Sequence, residues 1–400
     1  MSWERKPLEE VADFTLGKML DQNKNKGEPL PYLANINVRW GEFDLNDLRQ
    51  MRFEPHEMDR YGLEYGDIVM CEGGEPGRCA IWKSQSSGMM IQKALHRIRP
   101  YDCLDNQFLY YSFLNIGKAG KFSPFFTGST IKHLPRQQLA KVEIEIPPIP
   151  TQKRIADILS SYDNLIENNR RRIQLLEESA RLLYKEWFVQ LRFPGHEHVK
   201  ITDGVPEGWK KGVYDDFFMF QGGHSFKSKD YVENGRYGVV TIKNVHDGKF
   251  VSECQSRLDD YPQNMKKYCL LNSGDVLMSL TGNVGRVCVV DGVNYLLNQR
   301  VAKIIGKYNI PRSFVYWTFS NPKFQKYSQN LAHGVAQLNL SPVKLGSSGF
   351  LFPTENLVRE FSDFAEIVFK QIVQLNQFNR ELERARDILL PRLMNGELAV

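Results

Sequence analysis

The chain is written twice. Trp3 has a counterpart in Trp209, and Phe14-x-x-Gly17 in Phe220-x-x-Gly223. Leu63-x-x-Gly-Asp-Ile-Val-Met70 returns as Leu271-x-x-Gly-Asp-Val-Leu-Met278, and Gly74-x-x-Gly77-Arg78 as Gly282-x-x-Gly285-Arg286. Gly128, Leu134 and Pro147 then match Gly334, Leu340 and Pro353 at one constant offset. Ordered blocks with a slowly drifting offset of roughly 206–208 residues are the mark of a duplicated unit. Such a chain has to fold as two copies of one architecture.

Each half opens with about 150 residues of strands and Gly-Asp turns, including short β-rich runs such as Arg286-Val-Cys-Val-Val290. A long helical segment follows. The first is expected after the stop Ile146-Pro-Pro-Ile-Pro150 with Thr151 as N-cap, the second after Pro353 with Thr354 in the same role. The expected division is a globular domain at 1–150, a helix at 151–195, a second globular domain at 196–353 and a second helix at 354–400. The fold class is α/β (α+β), two globular domains with two long helices and an internal pseudo-two-fold repeat.

The helices have the pattern of a coiled coil. Tyr162, Ile166, Ile173, Leu176, Ala180, Leu183 and Trp187 alternate at spacings of four and three, with Asn169 in the same seam. Val368, Ile372, Leu375, Leu382, Leu389 and Leu393 repeat the device around Asn379. A lone Asn in an apolar seam selects register, because its amide must find a partner. Some 35 helical residues span roughly 50 Å. Paired antiparallel within one chain they would act as a ruler; the alternative is that they join two chains.

Composition bounds the function less tightly. Hydrophobic residues are 42%, charged residues 25% and the net charge only +5, so any phosphate contacts must come from local patches. The cysteines Cys71, Cys79, Cys103, Cys254, Cys269 and Cys288 form no C-x-x-C pair, which argues against metal or disulfide frameworks. The start Met-Ser-Trp-Glu-Arg-Lys leads into no apolar run, and no stretch has the apolar length of a membrane span. These features predict a cytoplasmic protein without membrane attachment.

One run is specific. Ile146-Pro-Pro-Ile-Pro-Thr-Gln-Lys-Arg-Ile-Ala-Asp-Ile-Leu159, followed by Glu167-Asn-Asn-Arg-Arg-Arg-Ile173 and Leu183-Tyr-Lys-Glu-Trp-Phe188, resembles the central region of specificity subunits of type I restriction–modification systems. Gly128-Ser-Thr-Ile-Lys-His-Leu134 resembles the turn that ends a target-recognition domain there, and Val205-Pro-Glu-Gly-Trp209 the start of the next. The resemblance covers essentially the whole chain. The second copy departs from it: Gly334-Val-Ala-Gln-Leu-Asn-Leu340 lacks the Ser-Thr pair, and Pro353-Thr-Glu-Asn-Leu357 lacks Gln-Lys-Arg.

The resemblance implies a non-catalytic chain whose two domains read the two halves of a split, asymmetric site in double-stranded DNA, about one helical turn or more apart (roughly 34–36 Å). It implies two adenine methyltransferase subunits and two ATP-dependent restriction subunits as partners. S-adenosylmethionine, ATP and Mg would sit on those partners, and this chain would bind no cofactor or metal. The residues agree. No Asn/Asp-Pro-Pro-Tyr/Phe motif seats a target amine, no Gly-x-x-x-x-Gly-Lys-Ser/Thr loop cradles phosphates, and Gly282-x-x-Gly285 reads as a turn between strands. The rival reading is a stand-alone DNA-binding or coiled-coil adaptor without methyltransferase partners.

Base reading asks for Arg, Lys, Asn or Gln on loops, and phosphate neutralisation for Lys and Arg. In the first half the candidates are Lys18, Lys24 and Lys26, then Asn35, Asn37, Arg39 and Trp40, then Arg78 and, more weakly, Lys132 beside His133. In the second they are Lys227, Lys229, Lys243, Asn244 and Arg286, with His246 nearby. Asn169, Ile173, Leu176, Leu183, Ile372, Leu375, Asn379 and Leu382 are assigned to helix pairing. Trp187 and Trp209 are expected in cores, and Arg170-Arg-Arg172 on a solvated or partner-facing helix surface.

Overall fold

The computed structural model describes residues 3–21, 25–334, 337–398 and 400. The chain forms two compact units, residues 1–165 with 382–400 and residues 166–381. The units therefore run across the expected four-part division: each contains one globular domain and a length of both long helices.

In the first unit four antiparallel strands, β1 (Ala12–Leu16), β2 (Ile68–Cys71), β3 (Cys79–Ile81) and β4 (Leu95–Pro100), lie in the order β1-β4-β2-β3. Phe14 and Ile68 both pair with Ile98 across the sheet. All four residues of β2 are buried, so this central strand reads as a continuous apolar run rather than an alternation. One face packs on Phe108 and Phe113 of the helix Asn106–Lys118, and on Ile155, Leu159, Leu390 and Leu393 from the long helices. The other face covers Leu33, Trp82 and Ile91, beside a small sheet in which Glu28–Leu33 lies between Arg49–Phe53 and Met90–Ile91.

The second unit repeats this frame. Strands β5 (Phe218–Gly222), β6 (Val276–Ser279), β7 (Val287–Val289) and β8 (Val301–Gly306) lie in the order β5-β8-β6-β7. Phe220 and Val276 both pair with Ile304, as Phe14 and Ile68 do with Ile98. The repeated Leu-x-x-Gly-Asp block is a turn before the central strand. Gly66 and Gly274 have φ of +93° and +86°, and the carboxylates of Asp67 and Asp275 accept the backbone N–H of Glu64 (2.8 Å) and Asn272 (2.9 Å). The duplicated motif is thus a duplicated backbone bracket.

The long helices span Ile149–Tyr184 and Glu355–Met394. Thr354 caps the second as expected, accepting from Leu357 N–H. Thr151 does not cap the first: that helix already starts at Ile149, and Thr151 N–H donates to Pro148 O. Pro150 fits in the first turn because the N–H it lacks has no helical partner there. Within the second unit Asn169 Nδ2 donates to Asn379 Oδ1 at 2.9 Å, both residues buried. Ile173, Leu176 and Leu183 pack half-buried on that unit's core, Ile372 lies inside it, and Leu375 and Leu382 are half-buried. Within the first unit Asp163, held by Tyr111 Oη at 2.7 Å, accepts from Arg386 at 2.5 Å. Early residues of one helix meet late residues of the other in both units, so the pairing is antiparallel and intramolecular. Phe361, fully buried, stacks edge-on with Tyr184, Trp187 and Phe188, and Trp209 is buried beside Phe193.

The departure of the second copy from the Gln-Lys-Arg motif has a packing explanation. Gln152 is fully buried. Its Oε1 accepts Asp105 N–H at 2.8 Å, and its Nε2 donates to Cys103 O (3.1 Å) and Pro147 O (2.8 Å). The equivalent positions in the second unit are Val358 and Pro311, both described in the same places at the helix start and the helix N-cap. Proline has no N–H to satisfy, so the amide acceptor and the cap donor it would serve are lost together.

Candidate DNA-recognition interface

The candidate residues separate into those that hold the frame and those on its rim. Lys18, Asn37 and Asn244, expected at the DNA surface, lie buried and hydrogen-bonded within the frame instead. Lys18 is buried, with Nζ 2.5 Å from Glu57 and 2.9 Å from Arg52 O. Burial pushes the Glu57 carboxyl up, but the Lys18 bond and charge together with the Glu54 N–H bond and nearby His56 hold it below its ordinary value. Asn37 Oδ1 accepts Ala34 N–H at 3.0 Å and its Nδ2 donates to Asp44 O at 2.9 Å. Asn244 makes the same pair of bonds with Thr241 N–H (2.9 Å) and Val251 O (2.8 Å). Both amides are spent on an identical loop bracket, leaving nothing for a base edge.

Arg78 and Arg286 occupy equivalent places after Gly turns between the strand pairs β2–β3 and β6–β7. The glycines are needed there. Gly77 and Gly285 have φ of +90° and +79°, and a Cβ on them would lie 2.7 Å from Phe122 and 2.0 Å from Ser328. Arg78 donates to Glu75 (2.5 Å) and to Asn35 O (2.9 Å), and Asn35 Nδ2 in turn donates to Gly73 O. Arg286 stands more loosely, 3.8 Å from Asp247. Arg39 is exposed and donates to Ile36 O and Val38 O. Lys26, Lys132, Lys227, Lys229 and Lys243 are exposed, with Lys243 Nζ 2.9 Å from Gln255. Lys24 lies outside the described residues.

In the first unit three of the candidates converge. Trp40, Arg78 and Lys132 line one open groove of about 660 Å³, together with Phe122, Phe126 and Ile131. Trp40 lies on the helix Asn106–Lys118, so close that a Cβ at Gly117 would sit 2.4 Å from its ring. The groove wall is a turn. Thr127 and His133 exchange backbone hydrogen bonds of 2.9 Å, and Gly128 turns the chain with φ +89°. In the second unit His333 and Asn339 make the same exchange around Gly334, φ +122°. The flanking backbone exchange and the positive-φ glycine are therefore kept in a copy that lacks the Ser-Thr pair.

Sequence reasoning overlooked Ile131 and Gln337 at the tips of these turns. The available signal was that equivalent positions differ in chemistry while the flanking glycine and leucine do not.

His96 beneath the turn is fully buried and donates through Nε2 to Leu134 O at 2.8 Å. Its Nδ1 has no partner among the described residues. Burial pushes the imidazole below its ordinary value of 6.5. A depressed histidine stabilises the fold fully above the unfolded value and less as pH falls below it. The melting temperature of the first unit should therefore decline below about pH 6.5, and less steeply in His96→Gln; equal slopes in the two proteins would refute this.

One frame, built twice with unlike rims, defines a duplicated recognition protein. Comparison with known proteins specifies what is recognised. The chain matches the type I restriction modification DNA specificity domain over residues 1–178 and again over 206–353. It is 27% identical over 346 residues to the type I restriction enzyme MjaVIII specificity subunit of Methanocaldococcus jannaschii, covering 83% of this chain and 79% of the relative. The MjaIX specificity subunit of the same organism is 24% identical, with 84% and 78% covered. The crystal structure of a type I restriction–modification S subunit from M. genitalium has the same fold, with TM-score 0.58 and 16% identity over 98% of this chain and 96% of that one. This chain belongs to the type I restriction–modification DNA specificity family. Among the described residues no helix is long and apolar enough to cross a membrane.

Proposed function

We propose that the first unit reads one half and the second unit the other half of a bipartite, asymmetric DNA site, and that the chain carries no catalytic centre of its own. One observation carries this reading: the two units share strand order, register and turn geometry, yet present different side chains on the same rim. Identical rims would suit a palindrome; unlike rims suit two unlike half-sites. Lys26, Arg39, Trp40, Arg78 and Lys132 are the proposed contacts of the first unit, and Lys227, Lys229, Lys243 and Arg286 those of the second. The lengths of the helices are the proposed determinant of the spacer.

Two adenine methyltransferase subunits and two ATP-dependent restriction subunits are the proposed partners, in the cytoplasm, with S-adenosylmethionine, ATP and Mg bound by those subunits. Exposed Leu175, Leu182, Phe364, Ile367 and Phe378 on the helices support protein contacts there, because large apolar side chains in water mark interaction surfaces when they cluster. Ile367→Glu should weaken methyltransferase capture at least tenfold in a pull-down while leaving the melting temperature of the chain unchanged. Retained capture would remove this face from the proposal. The reading as a whole is tested by base-resolution mapping of methylation in cells expressing the chain with its methyltransferase. A split motif with fixed spacer is expected; a single continuous or palindromic motif would refute it.

A further inference from the structure

We propose that the tips of the two equivalent turns carry base-discriminating side chains, Ile131 and Lys132 in the first unit and Gln337 and Leu338 in the second. This rests on the two-half-site reading and assigns the discrimination to particular residues.

The two turns share a common frame. The flanking residues exchange the same backbone hydrogen bonds, Thr127 with His133 and His333 with Asn339. His133 also bridges to Gly73, and Asn339 to Thr281, the segment that follows the central strand in each unit. Leu134 and Leu340, fully or nearly fully buried, anchor the far end of each turn. Gly128 and Gly334 admit no side chain, since a Cβ would lie 2.3 Å from Ile131 O and 2.2 Å from Gln337 O. The flanking backbone bonds, the glycine and the leucine anchor are therefore held in common, while the tip residues differ in chemistry.

What varies is exposed. Ile131 is 64% and Leu338 37% exposed, and Lys132 and Gln337 also face solvent. A large apolar side chain at a turn tip contributes nothing to the core beneath it, so a partner is the simplest reason for its presence. The surroundings fit a nucleic-acid partner. Ile131 and Lys132 stand over the groove that holds Arg78 and Trp40. Gln337 Nε2 reaches over the Gly282 turn next to Ile242, four residues from Arg286.

The chemistries of the tips then differ as two unlike half-sites require. A glutamine amide matches the paired donor and acceptor of adenine in the major groove, a lysine donates to guanine O6 and N7, and aliphatic groups pack on the thymine methyl. Gln337 in the second unit's tip is thus suited to adenine and Lys132 in the first unit's to guanine, with Leu338 and Ile131 each able to pack on a thymine methyl.

The test is methylation mapping of the assembled methyltransferase complex carrying single variants. Gln337→Ala should relax one position in one half-site, cutting discrimination there by roughly ten- to a hundredfold, with the other half and the spacer intact. Ile131→Ala and Lys132→Ala should relax the opposite half. Gln337→Glu should shift the preference at its position towards cytosine, whose N4 amine a carboxylate accepts; this gain cannot arise from damaged folding. Unchanged motifs in all four variants would overturn the proposal. So would a uniform fall in methylation without relaxation at any position, which would make the tips phosphate contacts. A wild-type complex that methylates a continuous motif, or none, would instead overturn the two-half-site reading before any variant is examined.

Discussion

Replacing Lys303 by methionine is expected to destabilise the second unit by about 3–5 kcal/mol, the cost of stranding a buried charge. Lys303 on β8 is nearly buried, and its Nζ lies 2.7 Å from the buried carboxylate of Asp275. Without the ammonium, Asp275 keeps among the described residues the turn N–H of Asn272, too little to offset its lost hydration. The double variant Lys303→Met with Asp275→Asn retains the turn acceptor and removes the charge, so it should recover most of the loss. The first unit solves the same problem differently. Asp67 pairs there with Arg99 at 2.5 Å, while Arg97, the positional equivalent of Lys303, donates to Asp59 O and Gly62 O. Urea unfolding with hydrogen exchange read at β6 and β8 measures the effect. A loss under about 1 kcal/mol, with no gain in the double variant, would show that water reaches Asp275.

Gln152→Val should cost the first unit about 2–4 kcal/mol, because it leaves the Asp105 N–H unpaired, worth about 1–3 kcal/mol, and deprives two carbonyls of a donor, a smaller loss. The second unit carries Val358 and Pro311 at these places, the natural counterpart of the double variant. Asp105 has φ −70° and ψ 136°, close to the −62° and 145° of Pro311, so proline can be accommodated at 105. Asp105→Pro alone forfeits the helix cap that Asp105 gives to Phe108 N–H at 2.9 Å. The double variant should nonetheless be more stable than the sum of the singles by about 0.5–2 kcal/mol, since each change removes the other's orphan. Strict additivity in a thermal double-mutant cycle would show that Gln152 acts through packing alone.

The same comparison of copies explains which parts of the interface could be read in advance. Asn37 and Asn244 drew attention as polar residues near basic loops, yet their recurrence at one repeat position was the sign of a shared structural bond. Lys18 looked like one member of an exposed basic loop; Glu57, Arg52 and Phe53, far away in the chain, bury it. Trp40, Arg78 and Lys132 were each singled out on separate grounds, but that they line one groove required the turn at 128–133 to pack beside the β2–β3 connection.

Duplication, two long seamed helices and one register-selecting Asn in each seam, Asn169 and Asn379, were determined by the sequence alone, because repeat period and heptad spacing are local patterns that need no partner to be recognised. The antiparallel intramolecular pairing, the fate of each polar side chain and the groove were decided by tertiary structure. Burial and hydrogen bonding depend on which distant residues arrive at the same place, and no spacing along the chain records that.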